Sequence, residues 1–297
     1  MEPPSLEQDF KFYPLSFSWV AVHPQPKGIV QFIGGAFFGT FPTLFYRYLL
    51  KQLYLEGYTI VALPFRFTFH HWDVAISLLR EQQALRLLLA QKAQDLGYED
   101  TIYSQPNQYL WLGHSLGCKY IALLELLAEW CQSPAKVSAK IRQVTKQSDA
   151  QLQQIQSSIQ GVSISIEDQR SLLMAPDISN TQDAIKIPLV PRLLDAVGLG
   201  VLPTKEETFD LIKQSDLFNL ASMISFAQDE IAGNINSPPG LDNTVRTLLE
   251  ILGDKLESVE LEGKHLRPLG AQIGELIVGP IAAPPPQLLY WLIKFLG

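Results

Sequence analysis

The sequence predicts an α/β fold with a mostly parallel central sheet flanked by helices. Two observations predict it. Short apolar segments alternate along the chain with longer segments of helical periodicity, which is the pattern of β-α-β units. An apolar strand at Tyr109–Leu112 also runs through a glycine-flanked turn directly into a helix. With 297 residues, 47% of them apolar, the chain is long enough to form one large domain, and we expect residues 1–297 to do so.

The individual elements follow from apolar runs and from the residues that end them. Glycines at 57 and 97 and a proline at 64 follow apolar segments and act as stop signals. Strands are expected at Trp19–Val22, Ile29–Ile33, Thr59–Leu63, Tyr109–Leu112, Ser171–Ala175, Ser222–Ala227 and Val259–Leu261. Helices are expected from about Pro42 to Glu56, from about Val74 to Leu96, from Leu116 to Trp130 and over Leu288–Leu296.

Two stretches break the alternation and are interpreted as helical insertions, or as a lid over the sheet. Residues 135–160 are rich in Gln, Ser and Lys, with weakly spaced apolar residues, and predict an exposed amphipathic helix. Residues 180–220 contain further apolar residues at helical spacing.

The composition excludes several classes of function. A net charge of −7 without a basic stripe argues against nucleic acid as a partner. The two cysteines lie on one predicted helix and show neither a disulfide framework nor a metal-site spacing, which indicates a reducing compartment. The acidic, proline-rich N-terminus does not have the pattern of a signal peptide. We therefore expect a cytoplasmic location, no metal and no cofactor.

The C-terminal segment is strongly apolar but is broken by prolines. Pro280 and Pro284–Pro286 divide Leu276–Gly297 into pieces that are too short to span a bilayer. We expect the last piece to be a helix packed on the domain. The alternative is that it makes a peripheral contact with a membrane surface or a partner protein.

The strongest candidate for chemistry is Ser115, at the centre of a Gly-x-Ser-x-Gly sequence between the apolar strand and its helix. This is the pattern of a nucleophile elbow, in which two glycines allow a turn too tight for a Cβ atom. The serine then lies at the N-terminus of a helix, where developing negative charge is favoured.

A serine nucleophile needs a base, which an acid orients, and in elbow hydrolases these follow the serine in the order acid, then histidine. His265 is the only histidine after Ser115, and it follows the last predicted strand. Asp229 follows the penultimate strand and is the first choice of acid. Glu230, its neighbour, and Asp254 in a later turn remain alternatives.

An acyl-transfer site also needs two donors for the oxyanion. The backbone N–H of Leu116 is one candidate, and the turn after Ile33 supplies the second, with Ala36 preferred and Phe37 next. The small residues Gly34 and Gly35 would let the backbone approach a substrate.

Two histidines are possible pocket residues. His71 lies near the expected mouth of the site and His114 lies beside the nucleophile, although a packing role is as ordinary for both. Cys118, one helical turn after Ser115, is interpreted as a core residue.

Together these residues resemble the α/β-hydrolase superfamily over nearly the whole chain. More narrowly, the sequence is similar to a family of unknown function from cyanobacteria and plant chloroplasts. The stretches that carry this similarity are Trp19–Ala21, Phe32–Phe37, Tyr46–Leu50, Pro64–His71, the elbow and Gly263–Leu269. The resemblance implies an α/β-hydrolase fold and, by analogy, a serine hydrolase that uses Ser115, Asp229 and His265. One departure is Gly34-Gly35 at the oxyanion turn, where many hydrolases have a His-Gly pair.

Two functional hypotheses follow. The first is hydrolysis of an ester, thioester or amide bond of a small-molecule or acyl substrate through an acyl-enzyme on Ser115, and the lid-like stretches favour an apolar acyl group. The second is a non-catalytic binding or assembly factor that retains the fold and docks through its apolar C-terminus. The first requires Ser115 and His265 within hydrogen-bond reach.

Overall fold

An eight-stranded sheet forms the centre of the protein. The structure is a computed structural model that describes residues 10–145, 147–162, 166–178, 201–215, 221–237, 243–273, 276–278 and 286–297. The strands are β1 (Tyr13–Leu15), β2 (Ser18–Ala21), β3 (Gly28–Ile33), β4 (Tyr58–Ala62), β5 (Tyr109–His114), β6 (Ser171–Met174), β7 (Ala221–Phe226) and β8 (Glu257–Leu261). Their order is β1-β2-β4-β3-β5-β6-β7-β8. The β1–β2 and β2–β4 pairs are antiparallel and all the others are parallel, which confirms the predicted α/β class.

Helices cover both faces of the sheet. They are α1 (Pro42–Phe45), α2 (Arg47–Leu55), α3 (His71–Asp95), α4 (Leu116–Gln132), α5 (Pro134–Val144), α6 (Asp149–Ser158), α7 (Lys205–Gln214), α8 (Thr244–Leu252) and α9 (Pro286–Leu296). Single 3₁₀ turns lie at Phe38–Thr40, Thr101–Ser104, Pro106–Gln108 and Gly253–Lys255, and a small antiparallel pair joins β9 (Ala271–Ile273) to β10 (Leu276–Val278).

The core has two layers because the central strands are buried on both faces. Side chains alternate along a strand, so Tyr109 and Trp111 of β5 face one layer while Leu110 and Leu112 face the other. The first layer includes side chains of α3 to α8, and the second includes those of α2 and α9. This double cover fixes β5 in the middle of the sheet, where it carries the nucleophile candidate at its carboxyl end.

The predicted helix over residues 42–56 is interrupted in the structure, and that prediction is corrected here. It divides into α1 and α2 at Tyr46, whose backbone (φ −114°, ψ 13°) is not helical. The cause is a distant partner. The carbonyl of Phe45 accepts a hydrogen bond from Gly270 N (2.7 Å), and Tyr48 N donates to the carbonyl of Gly270 (3.2 Å), so both groups are diverted from the helix.

The two predicted insertions are described to different extents. Residues 135–160 form two helices instead of one, because Ser148 caps α6 in a reciprocal pairing with Gln151. In the second stretch, residues 179–200 and 216–220 lie outside the described residues. Between them, α7 packs against α4, α5 and α8. That these stretches act as a lid stays a prediction.

The C-terminal helix α9 packs on the domain, as expected. Leu288, Leu292 and Phe295 are buried in the second core layer, and the helix contacts α2, β6 and β8. Over the described ranges, the chain has no helix with the length and apolar content needed to cross a bilayer. A peripheral contact through this segment stays a prediction.

Candidate active site

Ser115 occupies a strained turn between β5 and α4. Its φ of 55° and ψ of −124° lie in a region that non-glycine residues rarely adopt. Backbone hydrogen bonds hold it there: Ser115 N donates to Met174 of β6 (3.0 Å), and its carbonyl accepts from Cys118 N (3.0 Å). A Cβ added at Gly117 would lie 2.2 Å from the carbonyl oxygen of Ile33, so this position requires glycine. The local geometry is that of a nucleophile elbow.

The structure brings Ser115, His265 and Asp229 into one hydrogen-bonded row. Ser115 Oγ lies 2.8 Å from His265 Nε2, and His265 Nδ1 lies 2.8 Å from Asp229 Oδ2. His265 lies in the loop after β8, and Asp229 in the turn after β7, so parallel strands of one sheet and their loops contribute to the row. All three side chains are buried.

The carboxylate of Asp229 is held by the turn that follows it. Its Oδ1 accepts backbone hydrogen bonds from Ile231 (2.8 Å) and Ala232 (2.9 Å), which leaves Oδ2 for His265. The sequence alternatives lie elsewhere, because Glu230 is exposed and Asp254 is exposed in the 3₁₀ turn after α8. Since Asp229 Oδ2 can only accept, it fixes the proton on His265 Nδ1 and leaves Nε2 free to accept from the serine.

The turn after β3 lies directly against Ser115. A Cβ added at Gly35 would lie 3.0 Å from Ser115 Cβ, and one at Gly34 would lie 2.7 Å from the Tyr46 ring. The N–H of Gly35 donates to Tyr46 Oη (2.7 Å), and its carbonyl accepts from Gly39 N (2.5 Å).

Two backbone N–H groups near Ser115 are candidate donors to a ligand. Within the described part of the chain, no group accepts a hydrogen bond from the N–H of Leu116 or of Ala36. These are the two N–H groups that the sequence suggests for the oxyanion.

His114 is part of the buried structure around the site. Its Nδ1 lies 2.8 Å from Tyr46 Oη, and its Nε2 lies 2.9 Å from the carbonyl of His265. Burial, reinforced by the nearby charge of His265, lowers the pKa of His114 to about 3, so the ring is neutral.

Cys118 is buried in α4, and His71 is buried against Tyr120 of the same helix. Burial and then the charge of Lys119 hold the pKa of His71 well below its usual range, and its ring packs edge-on against Tyr120 (5.3 Å between centroids). Burial raises the pKa of the Cys118 thiol, which makes it a poor nucleophile and suits a core residue. A pocket role for His71 stays a prediction.

Tyr46 is the residue of this site that sequence reasoning missed. It looks like an ordinary apolar position of a helix, yet its hydroxyl contacts both Gly35 in the turn after β3 and His114, the residue before Ser115. The sequence offers no local pattern that separates it from a core tyrosine, because its partners Gly35 and His114 lie 11 and 68 residues away in the sequence.

Exposed apolar side chains lie on each of the three loops that meet at the row. Phe37 in the turn after β3 is 65% exposed, Ile231 near Asp229 is 56% exposed, and Leu266 beside His265 is 37% exposed. The Phe37 ring lies 4.7 Å from that of Phe67, which extends the apolar surface toward the segment after β4. In the described ranges, no three His, Cys, Asp or Glu residues are grouped so that they could hold a metal ion.

Residues 11–294 match the model of a protein family of unknown function, DUF1350. The chain belongs to the DUF1350 family. No curated protein sequence matches this DUF1350 chain significantly.

Two solved structures show its fold. One is a proposed carboxylesterase from Lactobacillus plantarum, with 15% identity, coverage of 97% of this chain and 98% of that one, and a TM-score of 0.54. The other is a thermophilic esterase with bound butyrate from the Planctomycetes species Thermogutta terrifontis, with 14% identity, coverage of 98% and 94%, and a TM-score of 0.50. The DUF1350 chain therefore has the α/β-hydrolase fold, which confirms the expectation from the sequence.

Proposed function

We propose that this protein is a serine hydrolase that cleaves an ester, thioester or amide bond through an acyl-enzyme on Ser115. The observation that carries the proposal is the row of 2.8 Å contacts from Ser115 through His265 to Asp229. A serine hydroxyl becomes a nucleophile when a neutral imidazole nitrogen accepts its proton, and the carboxylate holds the imidazole in the tautomer that can do so. The esterase descriptions of both structural neighbours belong to the same reaction class.

The proposed reaction has two halves. Ser115 Oγ forms a bond to the substrate carbonyl carbon while His265 Nε2 takes the hydroxyl proton, and His265 then gives that proton to the leaving group as its bond to the carbon breaks. Water repeats the sequence on the acyl-enzyme and releases the acid. The negative oxygen of each tetrahedral intermediate accepts hydrogen bonds from the N–H groups of Leu116 and Ala36, which are unengaged among the described residues.

We further propose that the acyl group is apolar. The loops of the candidate site expose apolar side chains at Phe37 (65%), Ile231 (56%) and Leu266 (37%). Exposed apolar side chains on the loops that contribute catalytic groups suit a binding site for an apolar ligand.

The test is labelling of the folded protein with a fluorophosphonate probe, whose phosphorus is attacked by an activated serine with loss of fluoride. We expect the wild-type chain to be labelled and Ser115→Ala and His265→Ala to be unlabelled. Ser104→Ala, which removes an exposed serine, is the matched control and should label like the wild type. Absence of labelling in the folded wild-type protein would contradict the proposal and favour the non-catalytic alternative.

A series of p-nitrophenyl esters then tests the acyl group. With acyl chains of two to eight carbons, an apolar site predicts that kcat/KM rises by roughly fourfold per added CH₂ until the site is filled, since each buried CH₂ contributes about 0.8 kcal/mol. A flat or falling series would contradict the apolar acyl group and leave the nucleophile unaffected.

A further inference from the structure

A single path of buried hydrogen bonds joins the turn after β3, the end of β5 and the loop after β8. It runs from Gly35 N to Tyr46 Oη (2.7 Å), from Tyr46 Oη to His114 Nδ1 (2.8 Å), and from His114 Nε2 to the carbonyl of His265 (2.9 Å). Gly35 belongs to the oxyanion turn, His114 precedes the nucleophile, and His265 belongs to the loop after β8. Every side chain in this path is buried.

The direction of each hydrogen bond in this chain is fixed. The carbonyl of His265 can only accept, so His114 Nε2 carries a proton and donates it. The His114 ring is neutral because burial lowers its pKa to about 3, so Nδ1 has no proton and accepts from the Tyr46 hydroxyl. The Tyr46 oxygen in turn accepts from the N–H of Gly35. No donor faces another donor anywhere along the path.

We propose that Tyr46 and His114 are positioning residues that hold the oxyanion turn and the His265 loop in place around Ser115. This inference rests on the proposed hydrolase function. The N–H of Gly35 donates to the Tyr46 hydroxyl. This hydrogen bond orients the next peptide, whose N–H at Ala36 is one of the two proposed oxyanion donors. His114 holds the backbone of His265, whose side chain contacts Ser115 Oγ.

The location of Tyr46 at the break between α1 and α2 supports a role beyond packing. A continuous helix would bond the carbonyl of Phe45 and the N–H of Tyr48 internally, whereas both bond Gly270, five residues after His265. The Tyr46 ring is also anchored edge-on against Phe32 of β3, 4.6 Å away. The backbone on both sides of Tyr46 is therefore fixed relative to the His265 loop through Gly270. The Tyr46 hydroxyl reaches the same loop through His114.

The test compares two buried tyrosines of the same core layer. Tyr46→Phe removes only the hydroxyl that links Gly35 to His114 and retains the ring against Phe32. Tyr54→Phe is the matched control, since Tyr54 is equally buried in α2 and its hydroxyl contacts the carbonyl of Val22 away from the site. Both variants are measured for the rate of fluorophosphonate labelling, for kcat and KM with a p-nitrophenyl ester, and for thermal unfolding.

We expect Tyr46→Phe to lower kcat and the labelling rate by 10- to 100-fold with KM within about twofold, because displacement of catalytic groups by about 1 Å costs about that much. Tyr54→Phe should keep wild-type kinetics. His114→Gln retains a donor for the His265 carbonyl and loses the aligned acceptor for Tyr46, so it should have an intermediate effect. The double variant Tyr46→Phe with His114→Gln should react no more slowly than the slower of the two single variants, because both substitutions interrupt the same path.

The outcomes separate this inference from the proposed function. Wild-type labelling together with wild-type kinetics in Tyr46→Phe would overturn the inference and leave the hydrolase proposal standing. Equal slowing in Tyr46→Phe and Tyr54→Phe would overturn it as well, since the effect would then be one of packing. If the wild-type protein does not label at all, the hydrolase proposal fails first and this inference fails with it.

Discussion

Replacing Asp229 by asparagine tests the orientation of His265 with a change of one atom. The asparagine amide has one acceptor oxygen and one donor nitrogen where the native carboxylate has two acceptors. In the native site Oδ1 accepts from the N–H groups of Ile231 and Ala232, and Oδ2 accepts from His265 Nδ1. The two backbone donors select the amide oxygen, so the NH₂ group faces His265.

The magnitude follows from this competition. With NH₂ facing Nδ1, the imidazole must carry its proton on Nε2, where it cannot accept the proton of Ser115. Turning the amide over would restore the productive tautomer but leave the N–H donors of Ile231 and Ala232 unpaired, at a cost of about 1–3 kcal/mol each. The productive arrangement is therefore disfavoured by about 2 to 6 kcal/mol, a loss of roughly 30- to 10⁴-fold in rate. The equivalent change in the serine protease triad costs about 10⁴-fold, at the upper end of this range.

The assay is the second-order rate of fluorophosphonate labelling, with hydrolysis of a p-nitrophenyl ester as a second readout. Glu230→Gln is the matched control, since it removes the same charge from the adjacent, exposed residue. We expect Asp229→Asn to react at least 30-fold more slowly and Glu230→Gln to react within about twofold of the wild type. An Asp229→Asn variant that reacts within threefold of the wild-type rate would refute the reasoning.

Three further predictions concern packing, substrate and pH. Gly117→Ala places a Cβ 2.2 Å from the Ile33 carbonyl oxygen. We therefore expect the free energy of unfolding to fall by about 1–3 kcal/mol and the labelling rate to fall at least 10-fold. Denaturant unfolding that matches the wild type would contradict this. Phe37→Ser should raise KM for an eight-carbon ester about 10-fold and change KM for the acetate by less than twofold, as steady-state kinetics would show. Burial raises the pKa of the Glu125 carboxyl in α4 to about 8 from 4.5, so the folded state keeps a proton that the unfolded chain releases. Stability should fall by about 3 kcal/mol from pH 5 to pH 8 on account of this group, and Glu125→Gln should lose that dependence, which urea unfolding of both chains at the two pH values measures.

The sequence predicted the fold because the sheet is built from local patterns. Each predicted strand is present with ends shifted by at most two residues, since apolar runs bounded by glycine or proline identify buried parallel strands. Helix α8 was not predicted although its pattern is present: Asn243 caps it, apolar residues recur at 245, 248, 249 and 252, and Gly253 ends it. Strand β1, three residues long, gives no periodicity to detect.

The candidate site divides in the same way between local and distant information. The contacts of Ser115, Asp229 and His265 could be anticipated from chain order, because the carboxyl ends of parallel strands meet at one edge of the sheet. The break between α1 and α2 could not be anticipated, because it depends on hydrogen bonds to Gly270, more than two hundred residues further along the chain. The role of the Tyr46 hydroxyl is hidden for the same reason, because a tyrosine with distant polar partners has the same helical spacing as one that only packs.

The bonds of Phe45 and Tyr48 to Gly270 have a consequence for how the site tolerates change. The segment around Tyr46 is joined to the His265 loop by two routes, which together form a closed circuit. One route runs through Gly270, and the other runs from the Tyr46 hydroxyl through His114 to the carbonyl of His265. If one connection is cut, the segment around Tyr46 stays attached to the His265 loop through the other. The hydrogen bond from Gly35 N to Tyr46 Oη lies outside this circuit. Loss of the Tyr46 hydroxyl should therefore slow the reaction while the fold around the His265 loop is retained.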